Sequence, residues 1–490
     1  MRRIGHSIAG ALLAALLGAG ALASPAAADP GNGTGQGSGP ASVQGGGPGS
    51  GQDGGYGSGR AEHAAPSRPS YRADLRADDT GTRWTGRETV TFGNRSAEPL
   101  REVYVRLWGN GTDGCGTPQN PSPVRIGRVT GGTPDAPSVG CTAVRIALPA
   151  PLPPGGRATV GFDVSITVPD RLHRFGREGA HRYLGNALPV LAVRDAQGWH
   201  LDPHVDRGES YYALASDFRV TLDHPTALKV PATGTTTTRP GTPGRTVTTS
   251  TARQVRDFAW AAGPFRSGTA TSPGGVTVRT YWTDGTPAAW VETARADALR
   301  AIDDLGKRFG RYPYGEVDAI LSDRFAPIGS MEFPGLVLVW ATESGSGIIH
   351  ELAHQWWYGI VGNDEYASPW LDEAFAVYSG DLLMGDNGES CAEYASWDDD
   401  TQAVTNSMGY WAAYGPGWSR FVYYNGGCVL HDLEKVLGPQ AMAAMLKKYA
   451  RDHWYGVSTT ADFQRAAQAA TTTDLTSFWR EHRVRTGAAS

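Results

Sequence analysis

The sequence predicts a multidomain α+β protein, in which an N-terminal antiparallel β-sandwich or saddle domain precedes a domain with a small mixed sheet and a helical half. Three observations support this fold class. From Tyr71 to about Gly263, short segments alternate apolar and polar residues between clusters of Gly, Pro, Asn and Asp. After about Ser267, apolar residues recur mainly at the spacing of helices. A His-Glu-x-x-His segment follows the last strand-like run and opens the mainly helical half.

The first 67 residues precede both folded domains. Residues 1–28 have the pattern of a signal peptide, because a charged start is followed by an apolar run of 16 residues and a small-residue cleavage pattern ending at Ala28. The run is shorter than the roughly 20 residues of a membrane-spanning helix, so we expect cleavage and export. Residues 29–67 are predicted to be a Gly-rich disordered linker, since residues 31–60 contain 14 Gly. We therefore expect a secreted, extracellular protein.

The charge and hydropathy of the chain argue against two classes of partner. The formal net charge is −5 and is spread thinly, which does not favour binding to nucleic acid or to an anionic membrane. No stretch after the signal peptide is apolar enough to span a bilayer, so we expect no stable membrane association. The sequence does not specify an oligomeric state.

The four cysteines indicate two disulfides, because an even number in an exported chain is typical of disulfide pairing. Three pairings are possible. We favour Cys115–Cys141 and Cys391–Cys428, since each pair is close in sequence and lies within one predicted domain. Four buried free thiols are the alternative.

The β-domain is predicted over residues 68–266. Its strands are expected where polarity alternates, at residues 87–92, 102–107, 158–164 and 217–222. A Thr-rich stretch, residues 233–251, indicates a hairpin with exposed faces. Because no long helical period interrupts these segments, they favour an antiparallel sandwich or saddle.

The second domain is predicted over residues 267–490. Residues 288–309 form its clearest helix, because apolar side chains recur there at helical intervals. Strand-like runs at residues 317–321 and 335–340 supply a small sheet. Further helices are expected at residues 418–437, 439–450 and 460–470.

The His-Glu-x-x-His segment lies in a predicted helix over residues 348–359. His350 and His354 are four residues apart, so both imidazoles leave the same helix face and can reach one metal ion. Glu351 lies about 100° around the helix, where it can hold a water beside the metal. The alternative is a chance coincidence of two helical histidines.

A catalytic zinc site needs a third protein ligand and an open position for water. Glu373 follows His354 after 18 intervening residues, enough to end one helix and return antiparallel in a second. Ser368 before Pro369 indicates where that second helix starts, with Ser368 as its N-cap. On its own, Glu373 could be an ordinary exposed helix acid; the spacing from His354 favours a ligand.

With these motifs the chain resembles the aminopeptidase N family of gluzincin zinc peptidases. The resemblance is carried by His350–His354, by Trp370–Ala376 after 18 residues, and by Val361–Asn363 and Tyr312–Tyr314. It extends over about 420 residues. It implies a thermolysin-like fold for the second domain, one Zn²⁺ per chain held by its two His and one Glu, and a peptide or protein substrate.

The resemblance also implies substrate-binding residues. The family's Gly-x-Met-Glu-Asn edge strand, whose Glu binds the substrate's free α-amine, is matched from Gly329 to Phe333, so Glu332 takes this role. Phe333 stands where the family has Asn. The family's N-terminal domain supplies a further Gln or Glu to the amine, for which Glu209 is the candidate.

The family's catalytic tyrosine, which stabilises the oxyanion, corresponds to Tyr423, with Tyr424 as the competing candidate. Glu351 acts as general base. We therefore predict a secreted zinc metallopeptidase that removes N-terminal residues from peptides. An endopeptidase or another hydrolase of the same fold remains an alternative because of Phe333. A zinc-containing binding protein without turnover is the second alternative.

Overall fold

The computed structural model describes residues 65–344, 346–394, 402–414 and 417–485. The predicted signal peptide and residues 29–64 of the predicted linker lie outside the described residues. The first strand begins at Ser67, one residue before the predicted start of the β-domain. None of the helices in the described ranges has the length and apolarity that crossing a bilayer requires.

The N-terminal domain consists of short strands, as its alternating polarity predicts. In chain order they are β1 (Ser67–Ala77), β2 (Arg83–Gly93), β3 (Leu100–Arg106), β4 (Val124–Thr130), β5 (Thr133–Pro134), β6 (Ala143–Leu152), β7 (Arg157–Thr167), β8 (Phe175–Glu178), β9 (His181–Leu184), β10 (Val190–Leu191), β11 (Arg194–Asp195), β12 (Gly198–Trp199), β13 (Ser216–Pro225), β14 (Thr235–Pro240), β15 (Arg245–Val255) and β16 (Trp260–Ala262). The predicted Thr-rich hairpin is formed by β14 and β15.

Two sheets enclose the core of this domain. Seven strands pair in the order β14-β15-β13-β1-β2-β7-β4, and four pair in the order β10-β3-β6-β5. All pairs are antiparallel except β1 with β13, which are parallel. Along β1, buried and exposed residues alternate strictly, so one face of the large sheet packs on the core. A smaller sheet of three strands has the order β16-β9-β8.

The second domain has a four-stranded mixed sheet followed by helices. Its strands are β17 (Arg266–Thr271), β18 (Thr277–Trp282), β19 (Glu316–Ser322) and β20 (Leu336–Trp340), of which β18, β19 and β20 are parallel. Its helices are α1 (Ala288–Phe309), α2 (Ser346–Ala353), α3 (Trp370–Met384), α4 (Cys391–Tyr394), α5 (Met408–Tyr414), α6 (Gly426–Leu437), α7 (Pro439–Asp452), α8 (Thr460–Gln468) and α9 (Thr476–Glu481). A π-helical turn, Arg420–Asn425, precedes α6. Both favoured disulfides, Cys115–Cys141 and Cys391–Cys428, are present.

The helix of the His-Glu-x-x-His segment is shorter than predicted, because α2 ends at Ala353 instead of Gly359. Beyond Ala353, the amide of Gln355 bonds three residues back and the chain turns, with Tyr358 at a φ of 118°. The indole of Trp356 donates a hydrogen bond of 2.8 Å to the carbonyl of Gly310, the residue that follows α1. Tertiary contacts of these large aromatic side chains therefore override the helical pattern of the segment.

The start of α3 also differs from the prediction. The helix begins at Trp370 with Pro369 as its N-cap, and no side chain caps it. The Ser368 carbonyl instead accepts a bond from the Asn363 amide, which folds the preceding loop back on itself. The loop conformation therefore decides the cap.

Candidate active site

Three side chains from α2 and α3 converge on one point. His350 lies in α2, His354 immediately follows it, and Glu373 lies in the first turn of α3. The Nε2 atoms of His350 and His354 are 3.1 Å apart. Oε2 of Glu373 lies 3.3 Å from Nε2 of His350 and 3.2 Å from Nε2 of His354. The amide of His354 still bonds to the carbonyl of His350, so both imidazoles keep the helical spacing although α2 has ended.

This triangle of donor atoms fits a tetrahedral zinc ion. Zinc bound at about 2.0–2.1 Å in a tetrahedron holds its ligand atoms about 3.3–3.4 Å apart. The side chains of His354 and Glu373 are 1% and 5% exposed, whereas that of His350 is 20% exposed. The site therefore opens to solvent beside His350, where a fourth position can receive water or substrate.

A second layer of hydrogen bonds orients these ligands. Nδ1 of His354 lies 3.1 Å from the carbonyl of Trp357, so the proton sits on Nδ1 and Nε2 is left to bind metal. Next to Glu373, the buried Asp372 accepts a bond from the side-chain amide of Asn363 at 2.9 Å and one from the Glu373 amide at 2.7 Å. The sequence reasoning assigned no role to Asp372, although it directly precedes Glu373 in the motif.

Glu351 lies in α2 next to His350 and is buried, with 5% of its surface exposed. Burial, followed by the charge of Glu332, raises its pKa well above the usual range of a carboxyl. A raised pKa suits a group that accepts a proton from water near neutral pH.

Tyr423 reaches the metal triangle from the π-helical turn. Its hydroxyl donates to Oε1 of Glu373, and its ring lies 6.0 Å from that of His350 at an angle of 15°. Burial, and then the charge of Glu373, raises the pKa of the phenol, so it remains a hydrogen-bond donor. The sequence motif favoured Tyr423 for this position, and Tyr423 forms the contact with Glu373.

Two further carboxylates lie beside the metal triangle. Glu209, Glu332 and Glu373 each offer an oxygen within 4.8 Å of the other two. Glu332 is 3% exposed and Glu209 is 4% exposed. Oε1 of Glu332 and Oε2 of Glu209 are buried without a hydrogen-bond partner. Glu209 of the β-domain and Glu332 of the second domain therefore lie together in one acidic subsite. The second domain, which carries the His–His–Glu triangle, is called the metal-bearing domain below.

The edge segment that carries Glu332 is held by Gln355, which follows directly after His354. Its side-chain nitrogen donates to the carbonyls of Glu332 and Phe333, both at 3.3 Å, and its oxygen accepts from the amide of Gly335 at 2.8 Å. Gln355 thus positions the segment of Glu332 through hydrogen bonds from its side chain to the backbone of that segment. Sequence reasoning missed Gln355, because its partners are 20 to 23 residues away.

Phe333, which stands where the resembling family has Asn, is a core residue. It is fully buried, and a Cβ atom added at Gly185 would lie 2.1 Å from its ring. The aromatic ring therefore occupies space between the two domains that only a glycine at position 185 leaves open. Gly329 has a φ of 69°, a backbone conformation that favours glycine, and its amide bonds to the carbonyl of Phe325.

Arg174, one residue before β8, also enters the acidic subsite. Its guanidinium forms an ion pair with Oε1 of Glu209. Burial opposes its charge, but the carboxylates of Glu209 and Glu332 raise the pKa of Arg174, so it stays a cation. No motif pointed to Arg174, since its partner lies 35 residues further along the chain.

A β-domain joined to a sheet-and-helix domain with a His–His–Glu triangle defines the class of two-domain zinc metallopeptidases. Residues 297–482 match the model of the Peptidase family M1 domain. The resemblance drawn from the sequence motifs is confirmed.

Solved structures confirm the predicted fold class. The chain is similar to the M1 zinc metallopeptidase of Deinococcus radiodurans, with a TM-score of 0.64 and 19% identity over 88% of this chain and 96% of that one. A mutant of that protein bound to a Tyr-Ser-Ala substrate gives a TM-score of 0.65 and 20% identity over 87% and 96% of the two chains. At these identities the likeness concerns the fold alone.

Sequence relatives match over shorter stretches. Leukotriene A-4 hydrolase of Xenopus laevis is 25% identical over 215 residues, which are 38% of this chain and 34% of that protein. Aminopeptidase B of Homo sapiens is 33% identical over 105 residues, 18% of this chain and 16% of that protein. The matched part of the chain thus spans about a third or less of the length of these relatives.

Proposed function

We propose that this chain is a secreted zinc aminopeptidase that removes the first residue from peptides. One observation carries the exopeptidase part of the proposal. Glu332 and Glu209 each present one buried oxygen without a hydrogen-bond partner. Each of the two carboxylates also offers an oxygen within 4.8 Å of a Glu373 oxygen. A buried carboxylate oxygen without a hydrogen-bond partner is costly, and an ammonium group would compensate it. The free N-terminus of a peptide supplies such a group next to its first peptide bond.

His350, His354 and Glu373 would hold one zinc ion per chain. Bound zinc supplies Lewis-acid activation of a water molecule and of the scissile carbonyl. Glu351 accepts the proton of the attacking water and passes it to the leaving amine. Tyr423 donates a hydrogen bond from its phenol to the oxyanion as it develops. This bond replaces the one that the phenol donates to Glu373.

Glu332 and Glu209 bind the α-ammonium, so the first peptide bond lies over the metal triangle and the rest of the peptide extends away. The match to aminopeptidase B and the Tyr-Ser-Ala complex of a similar structure support a peptide substrate. Export rests on the signal-like pattern of residues 1–28. Sequencing the N-terminus of the protein recovered from culture medium tests it: a start shortly after Ala28 supports export, and retention of the intact chain in cells contradicts it.

The activity is tested with one peptide in two forms, with a free and with an acetylated N-terminus. We expect release of the first residue only from the free form, and loss of this activity with a zinc chelator that is reversed by added zinc. Equal cleavage of both forms would establish the endopeptidase alternative. Absence of any chelator-sensitive hydrolysis, with zinc bound, would establish a binding protein without turnover.

A further inference from the structure

The acidic subsite contains one cation as well as two anions. Arg174 and Glu209 form an ion pair within the β-domain, and the side chain of Glu209 is only 5% exposed. Arg174 is 19% exposed, so it borders the cleft instead of lying in the core. Glu332, from the other domain, has an unpartnered Oε1. The local charge of the three side chains is therefore −1, carried by Glu332.

The charge of a binding subsite determines how many cationic groups it favours. A subsite with a charge of −1 is neutralised by a single ammonium group. A second cation nearby, such as the side chain of an N-terminal Lys or Arg, would then find no further uncompensated carboxylate among these three side chains. In a partly buried cleft, like charges a few ångströms apart repel measurably.

We propose that Arg174 sets the charge selectivity of the amine subsite. Its pairing with Glu209 leaves Glu332 as the one uncompensated carboxylate, so the subsite selects peptides whose first side chain is uncharged over those whose first side chain is basic. This inference rests on the proposed aminopeptidase function and assigns its class of substrate. Arg174 acts through Glu209 and is a positioning residue.

The test measures binding instead of turnover. The protein is prepared with zinc and with the Glu351→Gln substitution, and it is titrated calorimetrically with L-norleucinamide and L-lysinamide. These ligands have side chains of nearly equal length that differ by one positive charge. We expect norleucinamide to bind at least as tightly as lysinamide. In the additional Arg174→Gln variant, the ratio of the two Kd values should shift toward lysinamide by about tenfold, and added salt should reduce the shift.

Three further variants distinguish charge from packing. Arg174→Lys keeps the charge and should keep the ratio of the parent. The double variant Arg174→Gln with Glu209→Gln restores the charge of −1 and should return the ratio to within about twofold of the parent. Arg171→Gln is the matched control, because Arg171 is three residues away and pairs with Asp113 at 2.6 and 2.8 Å instead. It should leave the ratio unchanged.

The outcomes separate this inference from the proposed function. An unchanged ratio in Arg174→Gln, with both amides still binding, overturns the role of Arg174 and leaves the amine subsite intact. Failure of both amides to bind the zinc-loaded parent overturns the amine subsite and this inference together. If Arg174→Gln does not fold, Glu209→Gln tests the same charge pair from its other side. Glu209→Gln should weaken the binding of both amides, and that of lysinamide more strongly. Equal weakening of the two Kd values overturns the inference.

Discussion

Tyr423 donates a hydrogen bond to one oxygen of Glu373, whereas the other oxygen of that carboxylate faces the two imidazoles. A single carboxylate therefore links the metal triangle to the phenol. The bond holds the phenol beside the reaction site before substrate arrives. In the proposed mechanism, Tyr423 therefore makes two separable contributions, one to catalysis and one to the orientation of Glu373.

Replacing Tyr423 by Phe should lower kcat by about 100- to 1,000-fold, because an oxyanion donor is lost while the ring is kept. We expect KM to change by less than about threefold, since the amine subsite is untouched. Steady-state kinetics on an aminoacyl p-nitroanilide, together with the zinc content, measure both effects. A kcat within threefold of wild type would remove Tyr423 from the mechanism.

The Glu351→Gln substitution should lower kcat by at least about 100-fold, because the amide cannot accept the proton of the attacking water. Zinc should remain bound, as Glu351 is not part of the donor triangle. Turnover near the wild-type rate in a zinc-loaded Glu351→Gln protein would assign the general base to another group. Metal analysis of the same sample excludes simple loss of zinc.

Glu373→Ala should lose zinc during dialysis, because two imidazoles alone do not form a tetrahedral site with one open position. The melting temperature should fall as well, since zinc binds only the folded chain. Glu332→Gln provides the control: it removes a neighbouring charge but no donor of the triangle, and it should retain one zinc per chain. Equal zinc content in the two variants would contradict the ligand role of Glu373.

His200 should stabilise the contact between the two domains in a pH-dependent way. Its Nε2 lies 3.0 Å from Asp195 of the β-domain and its Nδ1 lies 3.1 Å from Asp364 of the metal-bearing domain. Burial lowers the pKa of His200, but the two aspartates more than offset this and raise it to about 10. Because the pKa of the folded state lies above that of the unfolded state, the stabilisation is complete below about pH 6.5 and is lost as the pH rises toward 10.

Denaturation of wild type and His200→Gln between pH 6 and 10 tests this. The difference in unfolding free energy should be about 1.5–3 kcal/mol at pH 6, the range for hydrogen bonds to charged groups, and should shrink toward pH 10. A difference that does not vary with pH would show that the ring contributes by packing alone.

Glu88 should destabilise the β-domain as the pH rises. It lies on β2, is fully buried, and neither of its carboxylate oxygens has a hydrogen-bond partner. Burial raises its pKa well above the usual range. The folded state therefore keeps a proton that the unfolded state releases above about pH 4.5, so stability is lost as the pH increases beyond that value.

Glu88→Met should remove this dependence and raise the unfolding free energy at pH 8 by about 1–3 kcal/mol, the cost of a buried polar group without a partner. Chemical denaturation at pH 5 and pH 8 gives the comparison. A loss of stability at pH 8 would show that the carboxyl has an interaction that the methionine cannot replace.

Much of the fold follows from local periodicity. Alternating polarity predicted strands that the structure contains as β2, β3, β7 and β13, and the helical period predicted α1 with both of its ends. These patterns are reliable because each depends on neighbours within a few residues. The end of α2 was mispredicted because the contact of Trp356 with Gly310 spans 46 residues.

The sequence by itself determined the donor set His350, His354 and Glu373, since helical spacing and a fixed connection length constrain which side chains meet. The tertiary structure decided what surrounds that set. Arg174 reaches the subsite only because the β-domain packs against the metal-bearing domain, and Phe333 fits only because Gly185 leaves room for it. Such contacts depend on how the domains pack, and the order of residues along the chain carries no local signal for that packing.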